Sequence, residues 1–255
     1  MDDSDEAEKG KVNQWLRSKE VTTLKNGKPD LDTVNLLLGE LDTILKDGNI
    51  PFTRVTQEGT NKSFIHLLME KRGNGFHKEK SKKAMQTVLD HLDKKLIEET
   101  RKNKSLIAKL VSMQESKNGT TLLHIASHKW GNEVVKRLLN LGASINLIDK
   151  NGKSAVTTIN PDVLERFLDS KCSLQEEKDP FYYNDHDQEI EFDYNFLQGE
   201  QSQGNKMKSL MEISKSPQHE DLLTHPVIST YLAREWGKIS VLYDLNIFFT
   251  MIFTA

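Results

Sequence analysis

The chain has 255 residues, a net charge of −3, and 36% hydrophobic against 29% charged residues. That length holds one or two domains with a lean core, and the slight acidity excludes a general pull toward nucleic acid. Cys172 is the one cysteine, which excludes an internal disulfide and fits a reducing compartment.

The opening, Met1-Asp2-Asp3-Ser4-Asp5-Glu6, is acidic where a secretory signal needs a basic start and an apolar stretch. It predicts an N-terminus in the cytosol, and residues 1–35 read as an acidic, polar segment. From residue 36 the chain reads as a series of helix pairs, to residue 168. Leu41-Asp42-Thr43-Ile44-Leu45-Lys46-Asp47-Gly48 resembles the end of one pair. Gly59 and Lys62-Ser63-Phe64-Ile65-His66-Leu67-Leu68 then supply a degenerate turn and first helix, with Ala84 to Leu92 as its partner, so that 59–92 forms a second. Ser63 to Thr121 is 58 residues, and the charged stretch at 93–116 is the excess over a regular period, as an extended helix or a loop insertion.

The pattern is densest at 117–149. Lys117-Asn118-Gly119-Thr120-Thr121-Leu122-Leu123-His124-Ile125-Ala126 makes a turn and first helix. Val134, Val135, Leu138 and Leu139 mark the inner face of a second helix, and Gly142 follows it where a left-handed cap is required. Gly119 to Gly152 is 33 residues, the ankyrin period. Thr121 to His124 sits where the Thr-Pro-Leu-His turn opens that repeat, and Ala126 lets paired helices approach. A further repeat covers 150–168, with Ser154-Ala155-Val156-Thr157 in the turn position and Pro161 to Leu168 as its second helix. Such repeats bury their apolar faces only by stacking, three or more together. The first one here is incomplete, which predicts the C-terminal end of a longer solenoid.

Residues 169–205 lose the period. Asp185 to Leu197 alternates acidic with apolar residues, as in a strand or extended arm, and Gly199 to Gly204 is a polar linker. Residues 206–240 predict a helix from Met207 to near Pro217, then two short helices broken at Pro226. Arg234, Trp236 and Lys238 precede a run, 241–255, that holds no Lys, Arg or Glu. A spanning helix needs about 20 apolar residues, and this run has 15. It predicts the start of a first transmembrane helix, in contact with membrane lipid; the competing expectation is an amphipathic helix packed on the repeats.

Charge is unevenly placed. Residues 78–109 are basic and residues 176–193 strongly acidic, surfaces that stay solvated or dock on each other or on neighbouring subunits. Chemistry is sparsely served. His66 and His124 occupy turn positions where imidazole bonds backbone. His186 and His219 lack zinc or metalloprotease spacing, so a divalent ion on the acidic stretch is the weaker reading beside solvated surface. Lys171 beside Cys172 is placed to lower the thiol pKa, and a structural or incidental cysteine is the plainer expectation. No Gly-rich phosphate loop or Ser nucleophile elbow is present, so no enzyme, cofactor or metal is expected.

The order of these parts resembles the transient receptor potential cation channels. Leu222-Leu223-Thr224-His225-Pro226-Val227-Ile228 before a Trp-containing helix is similar to the pre-membrane linker of their ankyrin and vanilloid subfamilies. Glu189 to Leu197 resembles the arm before that linker in the ankyrin subfamily, and the Lys62 to Leu68 turn and Leu168-Asp169-Ser170 resemble an insect branch of it. The resemblance covers residues 36–255. It implies a mainly α fold, an ankyrin solenoid with an arm and linker helices, and a homotetrameric, calcium-permeable channel of the plasma membrane opened by heat, irritants or mechanical load. The pore helices of that family are not in this sequence, and the family's reactive cysteine cluster is unmatched, since Cys172 stands alone. The implied role is coupling: residues 1–240 lie in the cytosol, the repeats bind other proteins or take an input, and the linker around His225, Pro226 and Trp236 passes it on. A soluble or membrane-associated ankyrin adaptor is the alternative.

Overall fold

In the computed structural model of the chain, residues 31–32, 34–35, 38–39, 56–57, 62–70, 76–98, 101–174, 190–197 and 207–254 are described. The expectations for most of the acidic opening, for 41–48, Gly59 and His186, for the acidic stretch 176–189 and for the linker at 199–204 lie outside these residues.

The described fold is mainly helical, as expected, and the helices form two layers. Strands β1 (Thr56–Gln57) and β2 (Lys62–Ser63) pair antiparallel and lead into helix α1 (Phe64–Glu70). Helix α2 runs over Phe76–Glu98 and α3 over Arg101–Val111. The 33-residue unit supplies α4 (Leu122–Lys129) and α5 (Asn132–Asn140). A 3-10 turn at Ala155–Thr158 and helix α6 (Pro161–Asp169) follow. One layer holds α1, α4 and the 3-10 turn side by side. The other holds α5 against α6. Arg137 of α5 joins α2 to that layer, with its Nε 2.9 Å from Asp93 and its guanidinium 2.8 Å from Asp90.

Each helix has a local cause. Thr121 caps α4 in a reciprocal box with His124, and Asn160 caps α6 with Pro161 at the first helical position, where no N–H is needed. The apolar spacing does the rest. Ala84, Met85, Val88, Leu89 and Leu92 line one face of α2; Val135, Leu138 and Leu139 line α5; Leu164, Phe167 and Leu168 line α6. All lie in one continuous core, together with Val34 and Leu38 from helical residues upstream. Burial of one such side chain contributes about 2 kcal/mol. A half-exposed ion pair such as Arg137–Asp90 adds under about 1 kcal/mol, so the apolar seam sets the stack.

The charged excess near 93–116 is resolved as helix. It extends α2 to Glu98 and then forms α3, whose Ile107, Leu110 and Val111 join the core. Helix α3 lies under the turn after α5. Ser112 Oγ accepts from Ser144 N at 2.9 Å, and a Cβ placed on Gly142 would lie 2.9 Å from Ala108 Cβ. Gly142 has φ +91°, a conformation an L side chain rarely takes.

Between α1 and the loop before α4 sits a buried polar cluster. Lys62 Nζ bonds both carboxylate oxygens of Glu70 (2.7 and 2.9 Å) and lies 3.3 Å from Glu115, which is 2% exposed. Burial works against the Lys62 charge, yet Glu70 and then Glu115 outweigh it and raise its pKa. His66 Nδ1 is 2.8 Å from Ser63 Oγ, and its buried Nε2 makes no well-formed hydrogen bond among the described residues. Burial dominates there and lowers the His66 pKa to about 4, against the opposing pull of the Met113 carbonyl and the Glu115 charge.

Beyond α6, β3 (Cys172–Leu174) pairs antiparallel with β4 (Ile190–Phe192), Cys172 opposite Phe192. A 3-10 turn at Asn195–Leu197, helix α7 (Lys208–Lys215), a 3-10 turn at Glu220–Thr224 and helix α8 (Pro226–Thr254) complete the order. The break at Pro226 is there. The second element is one 29-residue helix, however, not a short one. Nothing interrupts it, because after Pro226 it contains no proline and its one glycine, Gly237, is tolerated within a helix.

The expected start of a transmembrane helix is therefore the second half of α8. No helix among the described residues is long and apolar enough to cross a membrane. The part of the run that lies in the helix, 241–254, rises about 21 Å beside a hydrocarbon layer of about 30 Å, and Lys238 just before the run and Asp244 within it dilute the apolar stretch.

Two stability outcomes follow from this packing. Gly142→Ala costs about 2 kcal/mol in urea unfolding, from left-handed strain plus the Ala108 contact. Gly131→Ala, at φ +87° but facing open space, costs only about 1 kcal/mol. The depressed His66 pKa means that the folded state binds fewer protons than the unfolded chain between about pH 6.5 and pH 4. Its contribution is whole above pH 6.5 and falls by about 3 kcal/mol as the pH drops through that window. His66→Gln flattens that part of the urea midpoint against pH profile.

Candidate functional site: the repeat-to-helix junction

The turn residues named from sequence come together at the edge of the repeat stack. Thr121 Oγ1 is 2.9 Å from His124 Nδ1, and the Thr121 N–H donates to the same nitrogen at 3.2 Å. The opposite nitrogen, Nε2, lies 3.1 Å from the Lys153 carbonyl in the following repeat. A carbonyl only accepts, so Nε2 carries the proton and Nδ1 receives. Burial lowers the His124 pKa, with the Lys153 carbonyl opposing it. This histidine is thus a fixed, uncharged strut between repeats.

Leu123 and Ala126 are buried beneath that turn. Gly119, at φ +70°, lets the backbone approach Lys150 N, 3.1 Å from where a Cβ would stand. The Lys150 N–H donates to Asn118 O at 2.9 Å, so consecutive hairpins are bonded. Gly152, at φ +77°, closes the next hairpin. There the Asp149 carboxylate accepts from Lys153 N at 2.8 Å and Asn151 N at 2.9 Å.

A second turn of this geometry was not recognised from sequence. In Ser216-Pro217-Gln218-His219, Ser216 Oγ lies 2.8 Å from His219 Nδ1 and His219 Nε2 lies 2.8 Å from the Ile159 carbonyl. His219 is 1% exposed. The tetrad itself, a hydroxyl residue, Pro, any residue and His, was the available signal. It lies outside the 33-residue register, so the period does not reveal it. Helix α7 just before it packs on the 3-10 turn of the last repeat, with Leu210 and Ile213 buried and Ser209 Oγ donating to Ile145 O at 2.7 Å. The linker thus continues the inner layer where a further repeat would stand.

The arm completes the junction. Phe196 meets Phe167 of α6 edge-on at 5.2 Å, and Asn146 Nδ2 donates to Leu197 O. Tyr194 donates from its hydroxyl to Thr230 Oγ1 of α8 at 2.9 Å. Its ring lies 5.5 Å from that of Tyr231, and the Arg234 guanidinium sits over both, at 4.4 and 5.3 Å. His225 holds the start of α8. Its Nδ1 accepts from Val227 N at 3.3 Å, and its Nε2 is 3.1 Å from Asp169 Oδ1 at the end of α6. Pro226 is the first residue of that helix.

Trp236 stands apart from this cluster. It is ten residues along α8 from Pro226, about 15 Å, and is exposed on a face with Ile239 and Tyr243. Cys172 is also not what its neighbour suggested. Lys171 Nζ turns to Asp193 at 3.2 Å and to the Phe167 ring at 5.2 Å. Burial, and then Asp169, push the Cys172 thiol pKa up rather than down. Among the described residues no group of His, Cys, Asp or Glu is arranged to hold a metal ion. The junction is built to hold parts together: its hydroxyl–imidazole pairs use rings that are buried and whose outer nitrogens are taken by backbone carbonyls.

The hydroxyl of Tyr194 is a clean handle on this site. Tyr194→Phe costs about 1 kcal/mol in urea unfolding, and next to nothing in a Thr230→Val background, because both changes break the same bond.

Comparison with known proteins agrees with the fold. Residues 118–150 match the ankyrin repeat family. The chain is 29% identical over 152 residues to the transient receptor potential cation channel protein painless of Drosophila melanogaster, a match covering 57% of this chain and 16% of that protein. The chain thus spans well under two thirds of that relative's length. No solved structure matches it. The resemblance read from the residues is borne out: the chain holds an ankyrin repeat and is similar over 152 residues to a transient receptor potential channel.

Proposed function

We propose that this chain is the cytosolic repeat and linker part of a calcium-permeable, non-selective cation channel of the sensory type, responding to heat, irritants or mechanical load. The parent is a homotetramer of the plasma membrane. Residues 1–240 lie in the cytosol, the exposed repeat surface takes protein partners, and residues 241–255 meet lipid.

The observation that supports this reading most is the junction itself. The last repeat, the arm and α8 share His225–Asp169, Tyr194–Thr230 and the Arg234–Tyr194–Tyr231 stack. The helix they grip then runs unbroken to Thr254. A displacement of the repeats is delivered along that helix to its apolar end. His225 and Pro226 act at its grip and Trp236 acts further along it.

A second reading is an ankyrin adaptor that binds other proteins without a pore. One observation favours it: residues 118–150 match the ankyrin repeat family, and stacked repeats present extended surfaces to protein partners. Two measurements separate the readings. Cells making the complete polypeptide retain it in the membrane pellet after alkaline carbonate washing if the channel reading is right, and release into the supernatant favours the adaptor. In the complete channel, calcium imaging shows a displaced stimulus threshold for His225→Ala and Pro226→Ala. Unaltered response curves in both variants remove the coupling role.

A further inference from the structure

Six prolines occur in the chain, and Pro217 alone follows a hydroxyl residue. The residue before it, Ser216, ends α7 with an extended backbone (φ −100°, ψ 110°), as a residue before proline does. Ser214, Lys215, Pro217 and Gln218 are exposed and Ser216 itself is half-buried. An exposed Ser-Pro elbow of this kind presents a hydroxyl and its proline ring to a proline-directed kinase. That hydroxyl also has a structural task. It is 2.8 Å from Nδ1 of His219, whose Nε2 faces the Ile159 carbonyl at 2.8 Å. A carbonyl only accepts, so Nε2 carries the proton toward Ile159 and Nδ1 is left to accept. Ser216 is then the donor and Nδ1 the acceptor.

We propose that Ser216 is a phosphorylation site whose modification unseats the linker from the last ankyrin repeat. In the transfer, Ser216 Oγ attacks the γ-phosphorus of ATP. The Oγ–P bond forms, the bond from that phosphorus to the β,γ-bridging oxygen breaks, ADP leaves, and the hydroxyl proton passes to the kinase base. The product has no proton left to donate to Nδ1, and it carries a dianion where a buried ring had a neutral partner. The phosphate oxygens and their water need space beside the buried His219 ring, so the ring is displaced and its hold on Ile159 is lost. The turn at Glu220–Thr224 and the first residues of α8 follow directly after His219 and are released together. The inference stands on the Ser216–His219–Ile159 geometry and is independent of whether the parent protein is a channel.

The test uses the purified chain, a proline-directed Ser/Thr kinase and Mg-ATP, with phosphate mapped by mass spectrometry and amide exchange read before and after. The expected result is one phosphate at Ser216, none there in Pro217→Ala, and exchange of the amides of Leu222 to Ser229 faster by about tenfold once modified. Pro217→Ala keeps the Ser216 hydroxyl and His219, so its unmodified exchange matches the parent chain. Two results overturn the proposal. One is a native chain that resists the kinase while a peptide spanning 208–222 is modified, which means that the turn shields the hydroxyl. The other is a chain fully modified at Ser216 whose exchange is unchanged.

Discussion

On top of the apolar seam, the join between the ankyrin unit, its successor and the linker rests on one small device: a buried imidazole held on one side by a serine or threonine hydroxyl and on the other by a backbone carbonyl of the neighbouring layer. His124 does this with Thr121 and Lys153, and His219 with Ser216 and Ile159. Each ring joins a local turn to a residue tens of positions away in sequence, so the same contact closes a turn and orders the stack. A buried polar nitrogen left without its partner costs about 1–3 kcal/mol, which is a large share of the margin of a small domain. His66 has the hydroxyl half of the device, at Ser63, and an Nε2 with no well-formed hydrogen bond among the described residues; the Lys62–Glu70–Glu115 cluster beside it ties its repeat to the next loop instead.

Because the device recurs in the linker, the linker is part of the solenoid's packing rather than a tether. Helix α7 and the Ser216 turn cover the last repeat where another would stand, and the arm adds an aromatic clasp on the far side of α6. Helix α8 leaves this platform from Pro226. Its first turns are gripped by His225, Tyr194 and Arg234, and Trp236, Ile239 and Tyr243 are bare beyond them. Gly237 lies among these bare residues, with open space where a Cβ would stand. Glycine there weakens a helix by about 1 kcal/mol relative to alanine.

Much of this was legible in the residues, for identifiable reasons. The unit at 117–149 announces itself because its turn, caps and apolar spacing all follow one period. In the next unit, Pro161 comes only seven residues after Ser154 and Thr157 replaces the histidine, which leaves room for a 3-10 turn and no full first helix. The charged excess near 93–116 hid a second helix because Ile107, Leu110 and Val111 are its apolar face amid lysines. The Ser216 turn carried its own signal but stood out of register. The clasp of Tyr194 with Thr230, Tyr231 and Arg234 was not legible at all. It joins an irregular arm to a helix more than thirty residues on, and no local period encodes such a meeting.

The central claim is that the repeats and the start of α8 move as one body. A spin-label distance tests it directly, with Cys172→Ser removing the native thiol and labels on Lys136→Cys in α5 and Ala233→Cys in α8, both exposed positions. One narrow distance distribution, broadening when His219→Ala is added, is the outcome predicted. A broad or multiple distribution in the chain with His219 intact contradicts the account.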